Sequence, residues 1–182
     1  MRLTLSKEKK LKIIIILIGI CMLPLSLFAE KELTVVPSVD INRYLGTWYE
    51  IARYPNGFQK KCERSWVEYS LRDDGKIQVI NRCSKFDGKT SKIKGKAWVF
   101  DKETNAKLKV QFFWPFSANY WIIDLGEDYE YAVVSEPKRK FLWVLSRTKI
   151  MPEDKYQEII QNLIQKGFDT SKLFIDPWEN YK

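Results

Sequence analysis

Val67-Glu68-Tyr69-Ser70-Leu71-Arg72-Asp73-Asp74-Gly75 alternates and then turns. Val67, Tyr69 and Leu71 share one face of an extended chain, and Glu68, Ser70 and Arg72 the other, which is the period of a strand with one buried face. Asp73-Asp74-Gly75 then supplies turn chemistry: glycine accepts a positive φ, and aspartate bonds to nearby backbone. The pattern recurs in both directions. Runs of β type lie near 46–54, 64–72, 76–84, 92–101, 106–113, 120–125, 129–135 and 140–147. They are separated by Asp87-Gly88, Asp101 to Asn105, Pro115 to Asn119, Gly126 to Asp128 and Pro137-Lys138. Short strands at even spacing with tight turns predict an all-β, eight-stranded antiparallel up-and-down β-barrel, since closure removes exposed sheet edges. Ala97-Trp98-Val99-Phe100 is apolar on both faces, which predicts a cover on the outside there.

One C-terminal α-helix follows. Pro152 suits a first helical turn, Glu153 and Asp154 suit its positive end, and Gly167 suits its close. Tyr156, Ile159, Ile160, Leu163 and Ile164 form a single apolar stripe, so the helix is expected to pack on the outside of the barrel. Leu173 to Ile175 can add an edge strand. Ahead of the barrel, Asp40 can cap a short helical turn that Gly46 ends, a turn suited to plugging one end.

The first 29 residues read differently from the rest. Arg2, Lys7, Lys9, Lys10 and Lys12 precede the apolar run Ile13 to Leu27, and Ala29 stands before Glu30, so 1–29 is read as a secretory signal peptide and 30–182 as the domain. An uncleaved anchor is the alternative. Cys21 raises another, acylation at that cysteine, although Ile20 stands where lipoprotein processing prefers a small residue. The signal segment holds five Lys/Arg and one Glu, so the chain's net charge of +8 falls to +4 without it. The remaining basic residues form no continuous stripe, and nucleic acid is not an expected partner. The chain contains no histidine, which excludes Ser-His-Asp and Cys-His catalysis and most zinc sites. No cofactor is expected. Cys62 and Cys83 remain after export, and an oxidising compartment makes a disulfide their default, with two buried free thiols as the alternative. A two-residue turn at Asp74-Gly75 places Cys83 opposite Trp66 and Cys62 a few residues beyond. A bulge or bend before residue 64 is then needed to bring the α-carbons within about 7 Å.

Gly46-Thr47-Trp48-Tyr49-Glu50-Ile51-Ala52-Arg53 resembles the first lipocalin motif, and Leu145-Ser146-Arg147 the third. Tyr129 to Ser135 is similar to the second motif region, with Glu127-Asp128-Tyr129 in place of the usual Thr-Asp-Tyr. Tyr69 to Gly75, Phe113-Trp114-Pro115-Phe116 and Leu142 to Thr148 narrow the resemblance to the bacterial, apolipoprotein D-like lipocalin branch, over about residues 38–178. The resemblance implies a barrel closed at one end and storage or transport of fatty acids and lysophospholipids for membrane maintenance. In that branch a cysteine resembling Cys62 pairs near the C-terminus, where this chain has none. Gly46, Trp48 and Arg147 are read as structural, with Trp48 plugging the closed end and Arg147 stacked on its indole.

Alternation nominates the ligand-facing residues: Val67 and Tyr69, Val79 and Asn81, Val110 and Phe112, Tyr120, and Phe141 and Trp143. Arg53, Tyr54 and Phe58 follow the first strand, and Trp114, Pro115 and Phe116 form an aromatic turn, both assigned to the mouth. Arg53 is expected either to meet a ligand carboxylate or phosphate or to pair with Glu63. The expected function is binding of a fatty acid or lysophospholipid, without catalysis, in an exported, periplasmic protein with peripheral outer-membrane contact. A homodimer stays open as an assembly. A thiol enzyme and a protein-interaction barrel are the competing classes.

Overall fold

The computed structural model of the protein describes residues 32–178, so the signal-peptide reading and Cys21 lie outside the described residues. The strands are β1 (Gly46–Arg53), β2 (Cys62–Leu71), β3 (Ile77–Lys85), β4 (Thr90–Val99), β5 (Lys107–Phe113), β6 (Phe116–Leu125), β7 (Tyr131–Ser135), β8 (Leu142–Ser146) and the two-residue β9 (Phe174–Ile175). Each pairs antiparallel with the next from β1 to β8, and β8 returns to β1, which closes the eight-stranded barrel. Strand β9 adds to β1 beyond the stretch where β2 pairs with it. The polar Pro115–Asn119 segment is not a loop: β6 begins at Phe116, and Phe113 pairs with Phe116 across a two-residue turn.

Helix α1 (Ile41–Tyr44) is capped by the Asp40 carboxylate, which accepts from Asn42 N–H. Helix α2 (Glu153–Gln165) closes as expected around Gly167, whose N–H donates to Ile164 O while Phe168 N–H donates to Leu163 O. Its Ile159 and Leu163 are fully buried among Ile51, Tyr131, Val133, Leu142 and Val144 on the outer faces of β1, β7 and β8. Each contributes about 1.5–3 kcal/mol relative to exposure. The outer cover thus lies over β7, whose five residues are all buried. It does not lie over β4, where Phe100 stays 67% exposed with the Lys109 ammonium 5.2 Å from its ring.

A second core fills the barrel, with Trp48 (0% exposed), Val67, Tyr69, Val79, Leu108, Ile122, Val134 and Leu145. The floor is held by Arg147, whose guanidinium carbon sits 3.8 Å from the Trp48 ring centroid. Its nitrogens donate to the carbonyls of Arg43, Leu45, Thr47 and Tyr129 at 2.6–3.2 Å. Gly46 serves this closure: its φ is +97°, and a Cβ there would lie 3.2 Å from Arg147 Nη1. The β2–β3 hairpin turns wider than two residues, so Cys83 faces Ser65, one position from the expected Trp66. The anticipated bulge is present between Cys62 and Arg64. It brings the Cys62 and Cys83 α-carbons to 5.5 Å, and the two are joined as a disulfide.

Trp48→Ala removes a fully buried indole, and we expect a loss of about 3–5 kcal/mol in denaturant unfolding. Wild-type stability in that variant would refute the structural role. Reducing the Cys62–Cys83 bridge should cost about 3 kcal/mol for a loop of this length. Unreduced peptide mapping that finds both cysteines alkylated would contradict the bridge.

Candidate functional site

The antiparallel order puts the ends of the barrel in register by function. The closed end carries α1, Trp48 and the turns after β2, β4 and β6. The open end carries the segments 54–61, 86–89, 114–115 and 136–141. Register places the nominated side chains together. Val67 faces Asn81 and Tyr69 faces Val79, while Tyr120 faces Leu108, a residue not nominated from the sequence, all on the inner face. Phe112 reaches into the interior because Gly95 has no side chain: a Cβ there would meet its Cδ1 at 2.7 Å and Gln111 O at 2.6 Å. Val110 and Trp143 pack against the same core.

Near the floor the interior is polar in one place. Tyr120 OH lies 2.8 Å from both Tyr44 OH and Tyr69 OH. Burial, first among the causes, raises the pKa of all three, so they remain protonated donors. Three hydroxyls share two hydrogen bonds among the described residues, so one of the three O–H groups has a proton to give a further acceptor. Tyr44 was not among the residues nominated from the sequence. It reaches the chain from α1, its ring 5.0 Å from that of Trp48.

Toward the mouth, Phe58, Phe141 and Trp143 form an aromatic group, with Phe141 and Trp143 nearly parallel at 5.9 Å and Phe58 at 5.7 and 6.4 Å from them. The Trp143 Nε1–H donates to Gln59 Oε1 at 3.0 Å. Trp114 and Phe116 stand at the rim, 85% and 77% exposed, and the structure does not bring them into the interior set.

Arg53 is placed differently from both sequence expectations. It is 4% exposed, and Glu63 pairs with Arg64 instead. Arg53 Nη1 donates to Glu50 Oε1 (2.8 Å) and to Asp176 Oδ1, and Nη2 to Cys62 O (2.6 Å). A bulge in β1 between Glu50 and Ala52 makes this possible, because it turns residues 50 and 53 to one side where strict alternation would oppose them. Asp176, entering just after β9, also accepts from Ser65 N–H at 2.7 Å, so it wedges between β1 and β2 where they part. Gln59 Nε2 completes the network on Glu50 Oε2 at 2.8 Å. Two carboxylates thus face one guanidinium. Burial and then the Glu50 charge push Asp176 up to about 8, and burial raises Glu50. Glu50 was legible as inward-facing, two residues from Trp48. Asp176 lies 123 residues from Arg53 and gave no local signal.

A separate recess of about 270 Å³ lies on the outer wall, lined by Tyr49, Trp66, Trp178, Arg64 and Lys149 among others. Among the described residues no cluster of three or more Cys, Asp and Glu is placed to hold a metal ion.

This is the architecture of a closed eight-stranded barrel with a largely apolar interior, plugged at one end by Trp48, and with one helix packed outside. Residues 39–177 match the lipocalin-like domain, and the chain belongs to that family. It is 44% identical over 144 residues to the outer membrane lipoprotein Blc of Escherichia coli strain K12, covering 79% of this chain and 81% of that protein. Apolipoprotein D of Macaca fascicularis is 34% identical over 156 residues, with 80% of each chain covered. Insecticyanin from the tobacco hornworm Manduca sexta has the same fold, with a TM-score of 0.63, 20% identity, and 79% and 83% of the chains covered. The chain is therefore a bacterial-type, apolipoprotein D-like lipocalin.

The raised carboxylate at Asp176 fixes the sign of a pH effect. Its folded pKa lies above the ordinary carboxylate value of ~4, so its contribution is full below that value and is lost as pH rises through about 8. We expect the unfolding midpoint to fall progressively as pH rises from ~4 to about 8. In Asp176→Asn that fall should be absent; a profile unchanged by the substitution would contradict the assignment.

Proposed function

We propose that this barrel binds a single-chain lipid, a fatty acid or lysophospholipid, in its interior and carries or stores it in the cell envelope for membrane maintenance. The observation that carries this reading is the composition of the inner face. Val67, Val79, Val110, Phe112 and Trp143 offer an apolar wall, and the Tyr44–Tyr120–Tyr69 chain offers hydroxyl donors at its deep end. Apolar walls with few placed polar groups are the usual form of small-ligand sites. Family membership and the similarity to a protein named an outer membrane lipoprotein support an exported, envelope-associated role. Residues 1–29 are the proposed export signal.

The protein is read as a carrier without catalysis. The thiol enzyme considered from the sequence needs a free nucleophile, and Cys62 and Cys83 are bonded to each other. Arg53, the cation nominated for a ligand headgroup, is buried and donates to Glu50, Asp176 and the Cys62 carbonyl.

Adding a lysophospholipid or fatty acid should change tryptophan emission saturably, and Trp143→Phe should lose most of the change. The ligand should also displace an acyl fluorophore, and native mass spectrometry should show one lipid per barrel. No saturable change together with no displacement would overturn the reading. Replacing Tyr44, Tyr69 and Tyr120 together by Phe should weaken ligands that carry an oxygen acceptor at the inserted end by about five- to tenfold, the scale of one hydrogen bond, and leave plain hydrocarbon chains unaffected.

A further inference from the structure

The alternation that sends Trp48 and Val67 into the barrel sends Tyr49 and Trp66 out of it, and register sets these two opposite each other on the outer wall. Trp178 closes over them from the C-terminal segment. Its ring lies 5.3 Å from Tyr49 and 6.2 Å from Trp66, at 78° and 68° to them. The three rings therefore meet as the walls of a corner and do not stack as a layer. Trp178 is 6% exposed, and its Nε1–H donates to Glu50 O at 2.7 Å, which fixes that wall. These rings are the apolar side of the recess of about 270 Å³.

The other side is polar. Arg64, two residues along β2 from Trp66, stands opposite Ser84, and Ser84 opposite Thr90, so a guanidinium and two hydroxyls form a row across β2, β3 and β4. Arg64 Nη2 is 3.5 Å from Ser84 Oγ. Lys149, exposed, adds a second cation on the aromatic side, its ammonium 5.8 Å from the ring centroids of both Tyr49 and Trp178. Next to Trp66 in the register, Arg82 faces Lys92 across β3 and β4, like charges that disfavour each other. Glu63 and Glu68 on this patch are paired with Arg64 and Arg82. Among the described residues that line the recess there is no carboxylate.

We propose that this recess binds a small aromatic acid, one or two fused rings bearing a carboxylate or sulfonate. A flat ring covers its apolar surface against the aromatic corner in the edge-on or offset contacts such rings prefer. Its acid group then reaches the Arg64, Ser84 and Thr90 row through charge-assisted hydrogen bonds, with Lys149 on its other flank. The acid shares these cations with the partners they already have. A cation would be repelled here, and a neutral hydrocarbon would strip water from the polar row without replacing its hydrogen bonds. The volume lies just under the ~300 Å³ at which drug-sized sites begin, which suits a short ring system and not a long acyl chain. Because Trp178 is already held, little ordering is lost on binding. The site lies outside the barrel interior and does not depend on the lipid-binding reading.

The test titrates the mature chain with naphthoate, and with naphthylmethanol as its neutral counterpart, by calorimetry and by NMR of the indole N–H signals. Naphthoate should bind saturably with a Kd below about 1 mM, shifting the Trp66 and Trp178 signals and leaving Trp48 and Trp143 unmoved. A saturating fatty acid should not displace it. Arg64→Gln with Lys149→Gln, both changes on the outer surface, should weaken naphthoate about tenfold or more and leave the weaker alcohol nearly unchanged. Trp66→Leu should weaken both ligands. No saturable binding, or equal naphthoate affinity in the charge variant, would overturn the proposal. Shifts at Trp143 with displacement by the fatty acid would place naphthoate in the barrel and overturn it as well. Naphthoate binding gained only on removal of residues 179–182 would assign the recess to that segment of the chain, which also overturns it. Naphthoate binding at Trp66 and Trp178 in a protein that takes up no acyl probe would sustain this site and overturn only the lipid-binding reading.

Discussion

The stacking of Arg147 on Trp48 holds one end of the barrel shut, and the remaining architecture is arranged around it. A guanidinium over an indole face is attracted by the ring's electron density, by about 2 kcal/mol when desolvated. Here the same guanidinium also satisfies carbonyls of Arg43, Leu45, Thr47 and Tyr129. One side chain from the end of β8 therefore ties together α1, the start of β1 and the β6–β7 turn. Without it, these four carbonyls would lack this donor around a buried aromatic ring.

The open end is braced by a different force. Strands β1 and β2 must separate there to leave a mouth, and separation exposes their facing backbone groups. Asp176 fills that breach, taking Ser65 N–H and the Arg53 guanidinium at once. The cost is an excess carboxylate in a buried place, visible in the raised pKa values of Glu50 and Asp176. Gln59 links this brace to Trp143 and so to the inner wall. A structural network and the ligand-facing surface thus share side chains, and a change in one is felt by the other.

Much of the molecule was legible before any coordinates. Alternation in β2 gave Val67 and Tyr69 as inward, and the register confirms their neighbours Asn81 and Val79 on the same face. The cap at Asp40 and the helix close at Gly167 followed from residue chemistry alone. The failures are equally specific. Pro115 to Asn119 reads as a loop because turn formers and small polar residues dominate it, yet pairing with β5 draws Phe116 onward into a strand. Arg53 reads as a mouth cation because nothing nearby in sequence except Glu63 could neutralise it.

Sequence by itself determined most of the strands, the barrel and the two cysteines available for a bridge, because these depend on a two-residue period and on residue types at fixed positions; the Trp48–Arg147 floor was implied by the resemblance of its motifs. Tertiary structure alone decided two things: the β1 bulge that turns Glu50 and Arg53 to one side, and the insertion of Asp176. The physical reason is range. Side-chain alternation is a local property of an extended chain. Bulges and buried ion pairs arise only when a closed sheet forces strands distant in sequence to share a perimeter.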